Sequence, residues 1–454
     1  MGIQEQLLAV TPIDGRYANR VESLSPIVSE YGLIQRRVAV EAAWLDVLGS
    51  GVLPDMDPLS DAARDQLKEV VTDFRVNDAI EVKDIEKTTN HDVKAVEMWL
   101  RQKLSGDPEL EKYLEFIHFG CTSEDISNLA YAMMVRDAKK LVIEPGINNV
   151  LEDLGDKSLA FANLPMLAHT HGQPATPTTL GKEMAVFYER IDRSKGRLGS
   201  IAILGKFNGA TGNYNSVSVA YPEVDWPAVS QRFVESLGFE FNTTTTQIEP
   251  HDWLVALCNE LGLNNQIMTD LSRDMWTYIS MGYFKQQVKA GEVGSSTMPH
   301  KVNPIDFENA ESNFGSANAI LGNLAAKLPI SRLQRDLSDS STQRTIGEAF
   351  GHTVVAHSSL KRGLKKVDPN KDKIAEDLDS QWAVLTEAVQ TVMRRYGVEG
   401  AYGIIKNASR GQEMTEADYQ NLVNCLDIPD EAKATLQSLR PSTYIGRAPE
   451  IAKR

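Results

Sequence analysis

The 454-residue sequence has little cysteine: Cys121, Cys258 and Cys425 are far apart and odd in number. That excludes a disulfide framework and a Cys-x-x-Cys zinc pattern, and it points to a reducing, cytoplasmic setting. Long hydrophobic runs are missing as well. Nothing approaches about 18 consecutive apolar residues, so no membrane-spanning helix is expected. The opening MGIQEQLLAVTPIDGRY has neither the basic nor the apolar region of a secretory signal. Gln6 stands where a myristoylation motif needs Ser or Thr. Basic residues are in deficit, 47 Lys and Arg against 62 Asp and Glu, for a net charge of -15. Such a chain is poorly suited to gripping nucleic acid or an anionic membrane. A small anionic substrate stays open, because a local cluster of Arg and Lys overrules the global field. Period-two alternation is scarce, and neither a repeat of about 20–50 residues nor a low-complexity stretch occurs.

Helical periodicity is abundant. From Pro26 to Gly49, apolar residues fall at Ile27, Tyr31, Ile34, Val38, Ala42, Leu45 and Leu48. The spacing predicts one helical stripe, with Gly49 as its stop. Residues 125–141, 177–204, 250–290 and 304–328 predict further helices, several of them long. The expected fold class is all-α, a long-helix bundle centre with smaller helical units at either end. A break at 104–110 (LSGDPEL) bounds an N-terminal helical domain, 1–111. The basic run KRGLKKVDPNKDK (361–373) reads as a linker from a central domain, 112–364, to a C-terminal helical domain, 365–454.

Polar islands interrupt the helices. Six of the eight histidines (His91, His118, His169, His171, His251 and His300) lie within or beside them, and His352 and His357 fall in a later helical stretch. Two readings stand side by side: acid–base chemistry, or surface histidines at loop edges. TTNHDVK (88–94) predicts a helix start capped by Thr89, with His91 and Lys94 near its free N–H groups. HFGCTSED (118–125) offers a capping box of Thr122 and Asp125, again at a helix start. Beside it, Cys121 reads as a buried small residue. For both islands a plain capped helix is the commoner case. HTHGQPATP (169–177) sets two histidines at i and i+2, but no Cys, Asp or Glu completes a metal set. It reads as a rigid loop ending a helix, with Pro177 opening the next. GEVGSSTMPHKVNP (291–304) combines a Gly/Ser anion nest with Lys301 and Asn303. It is not a Walker loop, and no dinucleotide or Gly-x-Ser-x-Gly fingerprint occurs. Linkers rarely join Lys, His, Asn and two prolines in this way, so function is favoured here. Arg332, Arg335 and Arg344 flank LSDSSTQR, and Arg16 and Tyr17 follow PIDG; each spot suits phosphate or a surface ion pair.

GSSTMPHKVNP resembles the mobile signature loop of the fumarase/aspartase superfamily. KTTNHDVKAVE, HFGCTSEDISN, THGQPATPTTLGKEMA, GNYNS before YPEVDW, TQIEPHD and KVNPIDFENAE narrow the resemblance to its adenylosuccinate lyase branch, of the longer bacterial type. The match runs from PIDGRY to PSTYIGRA, nearly the whole chain. It implies a homotetramer around a shared bundle, no cofactor and no metal. It implies elimination of fumarate from adenylosuccinate, giving AMP, and from SAICAR, giving AICAR. By the same resemblance His171 is the general acid and Ser295 the general base. Substrate binders carried over are Arg16, Tyr17, Asn90, His91, Asp92, Thr122, Ser123, Gln247, Ser296, Lys301, Val302, Asn303, Asn309, Arg335, Ser340, Ser341, Thr342, Gln343 and Arg344. Relatives usually have Arg at position 169, where this chain has His, and the 340–344 run is more polar than its counterpart. Alternatives are a sister lyase (argininosuccinate lyase, fumarase or aspartase) or a non-catalytic helical scaffold.

Overall fold

A computed structural model describes residues 2–287, 297–298, 300–409, 411 and 413–453. Its contacts divide the chain into two compact units. The first comprises Met1–Ile147, Ser194–Gln266 and Ser312–Ser358; the second comprises Asn148–Arg193, Ile267–Glu311 and Ser359–Arg454.

In chain order the principal helices are α1 (Glu30–Val47), α2 (Val76–Thr89), α3 (Asp92–Leu104), α4 (Ser123–Ala138), α5 (Glu144–Ala160), α6 (Leu180–Ser200), α7 (Asp252–Ser280), α8 (Ile305–Lys327), α9 (Ser338–Gln343), α10 (Ile346–Lys365) and α11 (Lys371–Asp379). The fold class is all-α, as the periodicity predicts, and the strands among the described residues form three two-stranded sheets.

Helix α1 shows how the sequence makes a local structure. Ser29 breaks the 26–49 stripe with an extended backbone, and its hydroxyl accepts the Gly32 N–H at 3.2 Å. Such a cap stabilises a helix by about 1 kcal/mol. Leu33, Ile34, Val38 and Leu45 are buried. The stop is not Gly49, which lies inside a π turn over Leu48–Val52; the chain leaves it at Gly51, whose φ of 91° suits glycine. Trp44 anchors the helix in an aromatic group, with ring centroids 4.4 Å from Phe207 and 5.2 Å from Phe233.

Two expectations need correction in the second unit. HTHGQPATP is not a loop ending a helix. It is the end of the first strand, the turn and most of the second strand of an antiparallel hairpin, β1 (Pro165–Thr170) with β2 (Gln173–Thr179). Pro177 therefore lies in a strand, and the next helix opens at Leu180. The basic run 361–373 is not a linker either. It ends α10, forms a strand, Val367–Pro369, paired with Phe284–Gln286, and begins α11. Two of its cations share one carboxylate: Asp306 lies 3.0 Å from Arg362 and 3.1 Å from Lys366. A separate apolar cluster of Leu385, Val389, Met393, Tyr419, Val423 and Leu436 holds the C-terminal helices together.

Candidate active site

In the first unit, α1, α3, α4, α9 and the segments around Gln247 and Arg335 enclose a cavity of about 230 Å³. Eight sequence-selected positions line it: His91, Asp92, Thr122, Ser123, Gln247, Arg335, Ser340 and Gln343. The structure also places Arg37, Glu124, Ser127 and Tyr131 on its wall. Sequence reasoning missed these four. A signal existed for one of them, because Arg37 falls on the buried α1 stripe beside Ile34 and Val38. A charge on an apolar stripe is rarely there for packing.

The helix starts at the cavity are real, but one is capped differently from expectation. His91, not Thr89, is the N-cap of α3; its Nδ1 accepts the Lys94 N–H at 3.1 Å. Lys94 Nζ turns to Glu97 at 2.6 Å, so its charge serves its own helix. At α4 the capping role of Asp125 holds, its carboxylate accepting the Thr122 N–H at 2.8 Å.

Charges around the cavity are paired. Asp92 lies 2.8 Å from Arg37 and 3.2 Å from Arg344. Burial opposes its ionisation, but the Arg37 charge and hydrogen bond, the Val93 N–H and Arg344 outweigh it, holding the carboxyl below its usual range. Arg335 lies 2.7 Å from Glu124. Arg344 also meets Glu30 at 2.5 Å and lines a neighbouring cavity of about 370 Å³ with Thr11, Asp14, Ser29 and Glu348. Behind Thr122, His118 Nδ1 lies 2.6 Å from Glu41 Oε1, whose side chain is wholly buried. Burial works to lower the His118 pKa, yet the Glu41 hydrogen bond and charge raise it above the ordinary value. Burial pushes the Cys121 thiol well up, as an inert thiol requires.

Other selected positions do not line the site cavity. Asn90 is the exposed left-handed C-cap of α2 (φ 49°). Arg16 is exposed, and Tyr17 lies under the Arg20 guanidinium, 5.4 Å from its ring centroid. Ser341 is exposed, and Thr342 Oγ1 donates to Ser338 O at 3.1 Å. His352 and His357 are buried; Asn313 lies 2.9 Å from His352 Nδ1, and burial drives the His357 pKa down to about 4.

In the second unit, His171 occupies the tip of the β1–β2 hairpin. Thr170 pairs with Gln173, leaving His171 (φ 53°) and Gly172 (φ 71°) as a two-residue turn with both central φ values positive. The His171 ring is exposed, while Met166 and Leu167 below it are buried. Thr176 Oγ1 donates to Glu387 Oε2 at 2.5 Å, and Tyr444 OH donates to the same oxygen at 3.1 Å. The hairpin is thus tied to the C-terminal helices. Lys301 and Val302 are exposed, and Gln286 Nε2 donates to Val302 O at 2.9 Å. Asn303 is half-buried, and Asn309 Oδ1 accepts from Ser359 Oγ at 2.6 Å. Ser295 and Ser296 lie outside the described residues.

Comparison with known proteins bears on this arrangement. A family model described as lyase matches residues 15–320, and one described as adenylosuccinate lyase C-terminal matches 331–445. The adenylosuccinate lyase of Escherichia coli K12 is 47% identical over 443 residues, 97% of each chain. That of Haemophilus influenzae is 47% identical over 449 residues, 99% of this chain and 98% of its own. In fold, the chain resembles a 3-carboxy-cis,cis-muconate lactonizing enzyme from Pseudomonas putida, with a TM-score of 0.76, 22% identity and 95% of each chain covered. It also resembles a fumarate lyase from Mesorhizobium, with a TM-score of 0.76, 18% identity, and 95% of this chain and 96% of that one covered. Identity near one half over almost the full length shows that the chain belongs to the adenylosuccinate lyase family, within the fumarase/aspartase superfamily.

Proposed function

We propose that this carbon–nitrogen lyase eliminates fumarate from adenylosuccinate, giving AMP, and from SAICAR, giving AICAR, in purine biosynthesis. The observation that carries the reading is the cavity in which eight family binding positions converge between two helix N-termini and Arg335. The hydroxyls of Thr122, Ser123 and Ser340, the positive helix ends and the Arg335 guanidinium suit a ligand bearing a phosphate and two carboxylates.

The chemistry follows from the substrate. A Cβ proton beside a carboxylate is weakly acidic, and its removal places a second negative charge on that carboxylate. Ser295 takes the proton. Lys301, Asn303 and neighbouring N–H groups stabilise the dianion, the largest task of the site. The Cα–N bond then breaks, its electron pair leaves on nitrogen, and the His171 imidazolium protonates that nitrogen. A serine alkoxide needs a water-poor, cationic setting. His171 protrudes on an exposed turn, which fits a site completed in a homotetramer. The three chain-order segments, 1–111, 112–364 and 365–454, belong to the same proposal, with the middle one forming the shared bundle. The setting is cytoplasmic.

Fumarate release from adenylosuccinate tests the reading directly. Wild type releases it, and His171→Ala and Ser295→Ala each lose about 10²–10⁴ in kcat while remaining folded. Near-normal turnover in either variant removes that residue's role. No release by wild type, against release from another succinyl substrate, favours a sister lyase.

A further inference from the structure

A buried ion pair sits behind the Thr122–Ser123 wall of the cavity. Lys206 Nζ lies 2.8 Å from Asp125 Oδ1, and both side chains are 0% exposed. The same carboxylate accepts the Thr122 N–H at 2.8 Å, the Asn208 N–H at 2.9 Å and the Gly209 N–H at 3.1 Å. Lys206 Nζ also donates to Gly209 O at 3.3 Å. One turn along α4, the Asn128 amide grips the Lys206 peptide from both sides, donating to its oxygen at 3.0 Å and accepting from its nitrogen at 2.9 Å. The 206–209 segment is therefore fastened to the helix that presents Thr122 and Ser123.

Its far end reaches the opposite wall. Asn208 Nδ2 donates to Thr245 Oγ1 at 2.8 Å, and Gln247 Nε2 donates to Ala210 O at 3.0 Å. Gly212, at φ 82°, is pressed against the same stretch; a Cβ there would stand 2.3 Å from Thr245 O. One continuous set of contacts thus runs from Thr122 through Asp125 and Lys206 to Gln247.

Stability alone does not account for the pair. Desolvating two ions is costly, and apolar residues of similar volume often serve as well. Charged hydrogen bonds add direction, which apolar packing lacks. We propose that Lys206 is a positioning residue for substrate binding: through Asp125, its ammonium holds the Thr122–Ser123 wall and the Gln247 wall in one register. This rests on the elimination reading above. Neither proton-transfer residue belongs to the network, so its loss acts on binding rather than on the bond-breaking step.

Lys206→Met keeps the side-chain length and removes the charge. The expected result is a KM for adenylosuccinate raised about tenfold or more, with kcat within about threefold of wild type. The rise in Tm produced by AMP shrinks, and Lys206→Arg recovers part of both. A purely structural lysine would lower Tm while leaving KM and the AMP-induced rise unchanged, and that result overturns the proposal. Should Lys206→Met not fold, Thr245→Val removes the Asn208–Thr245 hydrogen bond, the side-chain link from the lysine segment to the second wall. A KM raised several-fold in that variant supports the proposal, and an unchanged KM overturns it. Wild type that releases no fumarate defeats the elimination reading instead; active wild type with an unmoved variant KM defeats this one alone.

Discussion

His118 is the side chain whose environment departs most usefully from its sequence context. It pairs with Glu41, a carboxylate buried in α1, and its pKa rises above the ordinary 6.5. A histidine whose folded pKa is raised stabilises the fold fully below the unfolded value. That contribution fades as pH climbs through the folded value. Urea midpoints measured from about pH 6 to about pH 9 should therefore fall with pH in wild type. His118→Gln should be less stable at the acid end and show a flatter profile; an equal slope in both would dissociate His118 from the effect. Asp92 behaves oppositely. Its lowered pKa contributes stability above the unfolded carboxylate range, lost as pH falls through the folded value. Neither partnership is visible in sequence order, since Glu41 and His118 stand 77 residues apart and Arg37 and Asp92 stand 55 apart. Motif reading finds the members that sit in polar islands. It passes over Arg37 and Glu41, because a helix stripe is ordinarily counted for its apolar residues.

At the scale of elements, the helices were the legible part. Residues 304–328 predict a helix, and α8 spans Ile305–Lys327. An amphipathic helix announces itself over many residues, so small local errors average out. Ser29, hidden inside the 26–49 stripe, caps α1, and Ser29→Ala should cost about 1 kcal/mol by chemical denaturation. The His171 hairpin was illegible for the converse reason. Its strands hold three prolines, Pro165, Pro174 and Pro177, and its turn demands positive φ at a histidine, for which Gly172 is the sole local hint. Gly172→Val forces a β-branched side chain into the left-handed region. It should cost on the order of 1–2 kcal/mol and lower kcat by disturbing the turn that carries His171. Thermal melts and fumarate release check both effects; unchanged kcat would show that the tip tolerates distortion. The basic run 361–373 misleads in a third way. Its charge suggests solvent, whereas Asp306 draws Arg362 and Lys366 inward and Val367 is buried.

At the scale of the molecule, the net charge of -15 and an anionic substrate are reconciled locally. Arg335, helix N-termini and hydroxyls gather at one cavity in the first unit, and His171 stands on a hairpin of the second. The proposed homotetramer makes a further expectation. If different copies complete each site, mixing inactive His171→Ala with inactive Ser295→Ala should restore measurable fumarate release as subunits exchange. Mixtures that stay inactive although exchange is demonstrated would place both residues of each site on one chain.

The interleaving of the two compact units also bears on synthesis. The first unit closes only with the stretch ending at Ser358, and the second draws on residues up to the C-terminus. A ribosome delivers residues 1–147 long before their partners in 312–358. The nascent chain must therefore carry unpaired apolar helix faces through most of translation, the condition under which aggregation competes with folding. For this protein, the order of manufacture and the order of packing are different orders, and chaperone demand should be set by the gap between them.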